Sequence, residues 1–324
     1  MTKASPDIAI VGAGIAGAAA AYRLHQLGAD VEVHETSSIP GGRMASLEIA
    51  GATFDHGAQF FTTRETEFQN LVEEAANSGA ARVWTHGFGD VPDGYQRWCG
   101  VPDMTAFARW LLGKSEATVR FDEAVTDLSQ LTAQAIILTP PVPVSLSLAI
   151  NSGLEPPSHV RKTLEAVDYK RTIAVLLVLN QTPLGTPATG AIQLLDDPYL
   201  AFISDNQAKG VSSLPALTVH LTNETSLELW EESDETIIHF TLDKLKTHLS
   251  NVDVTSQAVT RWRYAGPVEV IPDLSISWNS RPPLVIAGET FNGPKVEGAF
   301  NSGIDAANKA MAGLSGGGGE SCNE

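Results

Sequence analysis

Ile8-Ala9-Ile10-Val11-Gly12-Ala13-Gly14-Ile15-Ala16-Gly17 is the stretch whose reading decides the fold. Four apolar residues without a polar break read as a buried strand. A helix is expected from Ile15 to about Leu27, closed by Gly28 as the left-handed residue after its end. Between strand and helix, Gly12 permits a tight turn, Gly14 lets the backbone approach a pyrophosphate, and Gly17 lets the helix pack close. The free amides of the first helical turn, Ala16 among them, suit phosphate charge. A second strand, Asp30 to His34, ends at Glu35, 18 residues beyond Gly17. A carboxylate there accepts the protons of both ribose hydroxyls and opposes a ribose 2′-phosphate. This order of strand, glycine turn, small-residue helix, strand and acid predicts a site for an adenine dinucleotide.

The remaining composition narrows the class. The chain has 324 residues, 43% hydrophobic and 18% charged, which suits one or two closely packed domains. No apolar run approaches a membrane span, and the first strand begins after only seven residues, which predicts no signal peptide and a cytoplasmic location. The two cysteines, Cys99 and Cys322, are far apart and suggest neither a disulfide framework nor a metal cluster. A net charge of −17 argues against nucleic acid or an anionic membrane as partner. Either a monomer or a dimer is compatible with the sequence.

Further along, a hairpin is expected around Gly51, a helix near Glu65 to Asn77, strands at Ala81 to Trp84 and Tyr95 to Trp98, and a helix from Asp103 to about Leu112. Strands at Thr118 to Phe121, Ala124 to Leu128 and Ala135 to Thr139 follow, the last stopped by Pro140-Pro141. From about Pro157 to Gly266 the reading changes to a helix at Val160 to Val167, a strand at Thr172 to Leu179, three more short strands and a helix from Ser226 to Leu249. The acidic run Glu231 to Glu235 reads as a solvated face or a helix break. Pro283 to Ala287 returns to a buried strand, followed by a turn at Gly288-Glu289-Thr290 and a helix from Val296 to about Leu314. The expected architecture is α/β: a Rossmann-type domain on a parallel sheet (1–62, 101–150 and 267–314), an inserted α+β substrate domain on a mostly antiparallel sheet (63–100 and 151–266), and a flexible tail (315–324).

With Gly41-Gly42-Arg43, Val285-Ile286-Ala287-Gly288-Glu289 and Val296-Glu297-Gly298-Ala299 added to the opening motif, the chain resembles the FAD-dependent amine oxidase superfamily. Asp55-His56-Gly57-Ala58-Gln59-Phe60-Phe61-Thr62, Arg97-Trp98-Cys99-Gly100-Val101-Pro102-Asp103-Met104 and Arg261-Trp262-Arg263-Tyr264-Ala265-Gly266-Pro267 point within it to the bacterial renalase-like NAD(P)/FAD-dependent oxidoreductases. The resemblance implies non-covalent FAD. Gly42, Arg43 and Met44 would bring a second glycine turn and a guanidinium to the pyrophosphate, which a simple NAD-dependent dehydrogenase does not need. Val125 would offer backbone amides to the adenine, though it reads equally as a core valine. Glu289 falls where many relatives carry aspartate, and Val296 would open a helix whose amides face the pyrimidine edge of the flavin.

Ala58 and Gln59 would lie beside the ring. Gly57, Phe60, Phe61, Arg64, Trp98, Trp262 and Tyr264 are the candidate substrate-binding residues, each also compatible with core or surface. His56 is the one candidate base, a weak one, since a lone histidine beside Asp55 is more often a satisfied structural residue. No lysine stands in a motif that places it next to the flavin, which weakens an amine substrate. No HExxH, HxxxH or CxxC is present, so a metal site is not expected. The resemblance implies oxidation of a dihydronicotinamide, an NAD(P)H isomer, by hydride transfer to flavin N5 with oxygen as acceptor and hydrogen peroxide as product. The alternatives are an amine oxidase or desaturase of a small organic substrate, or a flavin- or nucleotide-binding protein without turnover.

Overall fold

The computed structural model describes residues 6–88, 93–293 and 295–316. It divides into two compact units, one comprising Met1–Gly42, Ala108–Asp168 and Gly266–Glu324, the other Arg43–Phe107 and Tyr169–Ala265.

In chain order the elements begin with β1 (Ile8–Val11), α1 (Ile15–Gln26) and β2 (Val31–His34). A hairpin of β3 (Ser46–Ile49) and β4 (Ala52–Asp55) follows, then α2 (Thr66–Asn77), β5 (Ala81–Thr85), β6 (Arg97–Gly100) and α3 (Met104–Gly113). After β7 (Thr118–Arg120) and β8 (Ala135–Leu138) come α4 (Val142–Asn151) and α5 (Ser158–Glu165). The middle holds β9 (Tyr169–Leu179), β10 (Ala191–Gln193), β11 (Leu200–Asp205), β12 (Ala216–Leu221), α6 (Asn223–Glu228) and α7 (Asp234–Leu245). The last elements are β13 (Val254–Pro267), β14 (Ile276–Trp278), β15 (Leu284–Ile286) and α8 (Val296–Gly316).

The first unit is built on a six-stranded sheet in the order β14-β15-β8-β1-β2-β7. Its pairings are parallel except at the edge, where β14 runs antiparallel to β15. The inner strands β1 and β8 are buried at every position, as their unbroken apolar sequences require. Helices α1 and α8 meet through small residues: a Cβ on Gly303 would collide with the Ala16 carbonyl. Ala306, Ala307 and Ala310 are buried on the same helix. A second apolar cluster gathers Leu138, Val142, Leu146, Leu164, Trp278 and Phe291.

The second unit carries a five-stranded sheet, β10-β11-β12-β9-β13, in which β9 to β12 pair antiparallel. Alternate residues of β9 serve two cores. Ile173, Val175, Leu177 and Leu179 pack with Trp230 and with Ile237 and Ile238 of α7, while Ala174, Leu176 and Val178 pack with Ala52 and Phe54 of the hairpin. This second core explains why 43–62, expected with the cofactor domain, belong to the second unit. The chain of 151–168, expected with the substrate domain, belongs to the first, where Val160 and Leu164 enter its core.

Several expected elements need correction. Ala124 to Leu128 is not a strand: Asp122 is left-handed (φ 56°) and Asp127 accepts from Ser129 N to start a 3-10 turn, so the segment is extended but outside the ladder. The long acidic helix is two helices, α6 and α7, because Ser233 accepts from Thr236 N and caps a new start within the acidic run. Helix α4 was hidden by the two-residue alternation of Val142-Pro143-Val144-Ser145-Leu146-Ser147-Leu148, which reads as a strand. The 14-residue β13 also went unread, since its apolar and polar residues do not alternate cleanly. Helix α8 continues to Gly316, and 317–324 of the expected tail lie outside the described residues.

Candidate active site

The glycine turn of the first unit is shaped by backbone proximity. Gly12 has φ 98°, donates its N–H to the His34 carbonyl at 2.8 Å, and a Cβ there would lie 2.6 Å from the Thr139 hydroxyl. That hydroxyl donates to the Val11 carbonyl at 2.9 Å. A Cβ on Gly17 would run into the Gly12 carbonyl oxygen, so the third glycine is demanded by the turn itself. At Gly14 a Cβ would meet nothing nearer than the Gly41 carbonyl at 4.0 Å. The protein itself therefore does not forbid a side chain at Gly14, in contrast to Gly12 and Gly17. Gly14 is also the N-cap of α1 and offers no side-chain acceptor to the helix amides. Gly41 donates to the Ala13 carbonyl at 2.9 Å, which holds the second glycine turn against the first.

Glu35 is buried, and its carboxylate accepts from Ala13 N at 2.7 Å and Ser37 N at 2.9 Å. Each oxygen keeps a further lone pair for a ribose hydroxyl. The segment behind it is tied to the 120–123 chain: Glu35 N donates to Arg120 O and Glu123 N to Glu35 O. Val125 lies beyond, partly buried against the core, and among the described residues its N–H and C=O have no hydrogen-bond partner. Gly288 (φ 148°) donates its N–H to the buried Ser302 hydroxyl at 2.8 Å. Glu289 and Val296 are buried, and a Cβ on Gly298 would strike the Gly293 carbonyl ahead of α8.

In the second unit the segment after β4 collects much of the polar chemistry. Arg43 donates Nη1 to the Tyr264 carbonyl at 2.9 Å, and its own carbonyl accepts from Ala58 N at 2.8 Å. Gly57 is required there, because a Cβ would collide with the Arg43 carbonyl and sit 3.3 Å from the Trp262 ring. The His56 carbonyl accepts from Trp262 Nε1 at 2.9 Å and from His220 Nε2 at 3.1 Å. The His56 ring lies 4.9 Å from that of Trp262. Burial, with His220 adding to it and Asp55 only partly offsetting it, pulls His56 down to about 4. Burial and the Lys209 cation bring His220 to about 4 as well, against the opposing hydrogen bond to His56. Both imidazoles are neutral at neutral pH.

The expected substrate residues separate. Trp262 and Gly57 come together with His56, while Tyr264 stands edge-on to Tyr169 at 5.2 Å. Phe60 joins Phe88 at 4.9 Å and Phe202 at 6.2 Å, with the Arg97 guanidinium 5.9 Å from its ring. Phe61 is a core residue stacked on Phe107 at 4.8 Å, and it pairs by backbone with the buried Trp98. Arg64 is exposed, and Met44 is buried on the 3-10 turn Gly42–Met44.

Lys209 was missed. Its side chain is wholly buried and its Nζ lies 2.7 Å from Asp55 Oδ2. Nothing local marks it: Asp205-Asn206-Gln207-Ala208-Lys209-Gly210 reads as an ordinary surface turn. Among the described residues no group of three or more His, Cys, Asp or Glu is placed to hold a metal, and no helix is long and apolar enough to cross a membrane.

A parallel sheet with a glycine turn, an uncapped helix N-terminus and a buried acid defines a dinucleotide-binding oxidoreductase fold. A model described as "NAD(P)-binding Rossmann-like domain" matches residues 10–75, and one described as "Flavin containing amine oxidoreductase" matches residues 109–311. The latter spans well over half of the chain, which thus belongs to the flavin containing amine oxidoreductase family. Protoporphyrinogen oxidase 2, chloroplastic/mitochondrial, of Arabidopsis thaliana is 39% identical over 67 residues, 21% of this chain and 13% of that protein. The zeta-carotene-forming phytoene desaturase of Myxococcus xanthus is 50% identical over 50 residues, 15% of this chain and 10% of that protein. These curated relatives are matched over only about an eighth of their length or less. A putative protoporphyrinogen oxidase from Exiguobacterium sp. 255-15 shares the fold at a TM-score of 0.72 and 13% identity, over 97% of this chain and 100% of that one. With an adenine dinucleotide turn in a flavin-containing family, the cofactor is FAD. The cradle at Gly14, the α1 amides and Glu35 fit its ADP half.

Proposed function

We propose that the protein is a FAD-dependent oxidase that removes a hydride from a dihydronicotinamide nucleotide, with oxygen as the final acceptor and hydrogen peroxide as product. When bound, FAD supplies the two-electron acceptor that no side chain can provide. In this reading Gly12, Gly14, Ala16, Gly17 and Glu35 hold the ADP half, with Val125 on the adenine. Gly42, Arg43, Met44, Gly288, Glu289 and Val296 complete the binding set. Ala58 and Gln59 border the ring, and Phe60, Trp98, Trp262 and Tyr264 serve the substrate.

One observation carries the choice of substrate: the ionisable groups around His56 to Phe61 are either neutral or fully engaged. His56 and His220 are held near 4. The Lys209 ammonium donates to Asp55 Oδ2 and Gln59 O and lies over the Trp84 ring at 4.5 Å. A dihydronicotinamide gains aromaticity on losing hydride and releases no N–H or O–H proton, so it asks for positioning and no base. An alcohol, by contrast, needs a proton acceptor.

The test is anaerobic bleaching of the holoprotein. A 6-dihydronicotinamide nucleotide is expected to reduce the bound flavin completely, and simple amines are not. Bleaching by amines alone would replace this reading with amine oxidation.

A further inference from the structure

The fully buried Lys209–Asp55 pair calls for a reason other than stability. Taking both charges out of water is costly, and an apolar pair of the same volume is often as stable or more so. The best-attested use of such a pair is to impose one local conformation. Here the bonds converge on one short segment.

Lys209 Nζ donates to Asp55 Oδ2 at 2.7 Å and to the Gln59 carbonyl at 2.6 Å, clamping both ends of the turn. Its third proton has the Trp84 ring, 4.5 Å away, as a partner. The lysine therefore has no proton left for a ligand. Asp55 Oδ1 accepts from Ser46 Oγ at 2.6 Å and from Met104 N at 3.0 Å, which ties the same point to β3 and to the start of α3. Asn206 Oδ1 accepts from Asp55 N, and Thr218 Oγ1 donates to Asp55 O at 3.0 Å. Arg82 Nη2 donates to the Lys209 carbonyl and anchors the lysine in turn. Inside the turn, Gln59 Nε2 donates to Asp55 O at 2.6 Å and to Gly57 O at 3.2 Å.

The consequence is a polarised segment. The carbonyls of Asp55, His56, Gly57 and Gln59 are all taken by protein donors. Among the described residues, the N–H groups of Gly57, Gln59 and Phe60 have no acceptor. Backbone donors left over in this way suit an electron-rich ligand edge on which negative charge develops.

We propose that Lys209 and Asp55 are positioning residues that hold Asp55 to Phe60 with its carbonyls spent internally and its N–H groups available to the electronegative edge of the flavin. This rests on the FAD reading of that segment given above. The ion pair touches neither cofactor nor substrate; it acts through the Gln59 carbonyl and the backbone of Asp55.

The test compares wild-type holoprotein with Lys209→Met and with Asp55→Asn/Lys209→Met, reading thermal midpoint, FAD dissociation constant and midpoint potential of the bound flavin. Lys209→Met is expected to lower the thermal midpoint sharply, because Asp55 is left buried and unpaired. The double variant leaves no buried charge and should recover most of that stability, yet retain about tenfold weaker FAD binding and a more negative potential. Recovery of all three quantities in the double variant would show a scaffold role only and overturn the proposal. Thr218→Val removes the bond to the Asp55 carbonyl, and with it the one accepted from Asn206 Nδ2, without stranding a charge; it should shift potential and affinity in the same direction by two- to threefold in affinity, and wild-type values there would also count against the proposal. A wild-type protein that takes up no flavin would instead defeat the proposed function itself.

Discussion

The glycine turn of the first unit and the Asp55 to Phe61 segment of the second handle polar groups in opposite ways. At Gly12 to Gly17 the work falls to backbone amides and to the absence of side chains; a single carboxylate, Glu35, ties one of those amides, Ala13 N, together with Ser37 N. At Asp55 to Phe61 it falls to side chains that arrive from distant parts of the chain, with Lys209 lying 154 residues from Asp55 and Trp262 206 residues from His56. The first arrangement is largely local and tolerates no added atoms at Gly12 or Gly17. The second is assembled by tertiary folding and tolerates no unpaired charges.

Breaking the first arrangement should have the largest effect. Gly17→Ala sets a methyl group against the Gly12 carbonyl, neither of which can move aside cheaply, so a loss of about 3 kcal/mol or more is expected. Denaturant unfolding together with the flavin absorbance reads it: the variant should be colourless. The same substitution at Gly28 meets no atom within 4 Å and has only its φ of 80° to contend with, so it should cost about 1 kcal/mol and leave the protein yellow.

The second arrangement should announce itself through pH. Because the folded values of His56 and His220 lie near 4 against an ordinary 6.5, both stay neutral in the fold while the unfolded chain takes up protons below about pH 6.5. Their contribution is intact above that pH and drains away as pH falls towards 4, by about 3 kcal/mol per imidazole at the most. His220→Gln should flatten the fall in unfolding free energy between pH 7 and 5; an unchanged slope would remove these histidines from the account. A smaller effect is expected from Glu35→Gln. The amide cannot accept from both Ala13 N and Ser37 N, and FAD affinity should drop about tenfold, or about 1.4 kcal/mol, with little change in fold.

The same contrast explains what could be read from the sequence. Ile8 to Glu35 was legible because strand, turn, helix and acid follow one another and each glycine answers to a neighbour close in the chain, apart from Thr139. The parallel sheet and the antiparallel insert followed from apolar runs such as Ala135 to Leu138 and Ile173 to Leu179. Lys209 was not legible, since its turn carries only turn residues and its partners come from β4 and the loop after it. Helix α4 was obscured by a two-residue apolar period, and Val125 was assigned to a strand that Asp122 and Asp127 interrupt. The resemblance groups 43–62 with the cofactor domain, whereas the burial of Ala52 and Phe54 against β9 and β12 puts it in the second unit.

The claim that hydride removal here proceeds without an ionisable side chain is tested most directly by the rate of anaerobic flavin reduction with a 6-dihydronicotinamide nucleotide as a function of pH. With His56 and His220 near 4 and Lys209 fully engaged, that rate should be flat from about pH 5.5 to 8.5. A limb of unit slope within that range, abolished in a His56→Gln or His220→Gln variant, would contradict it.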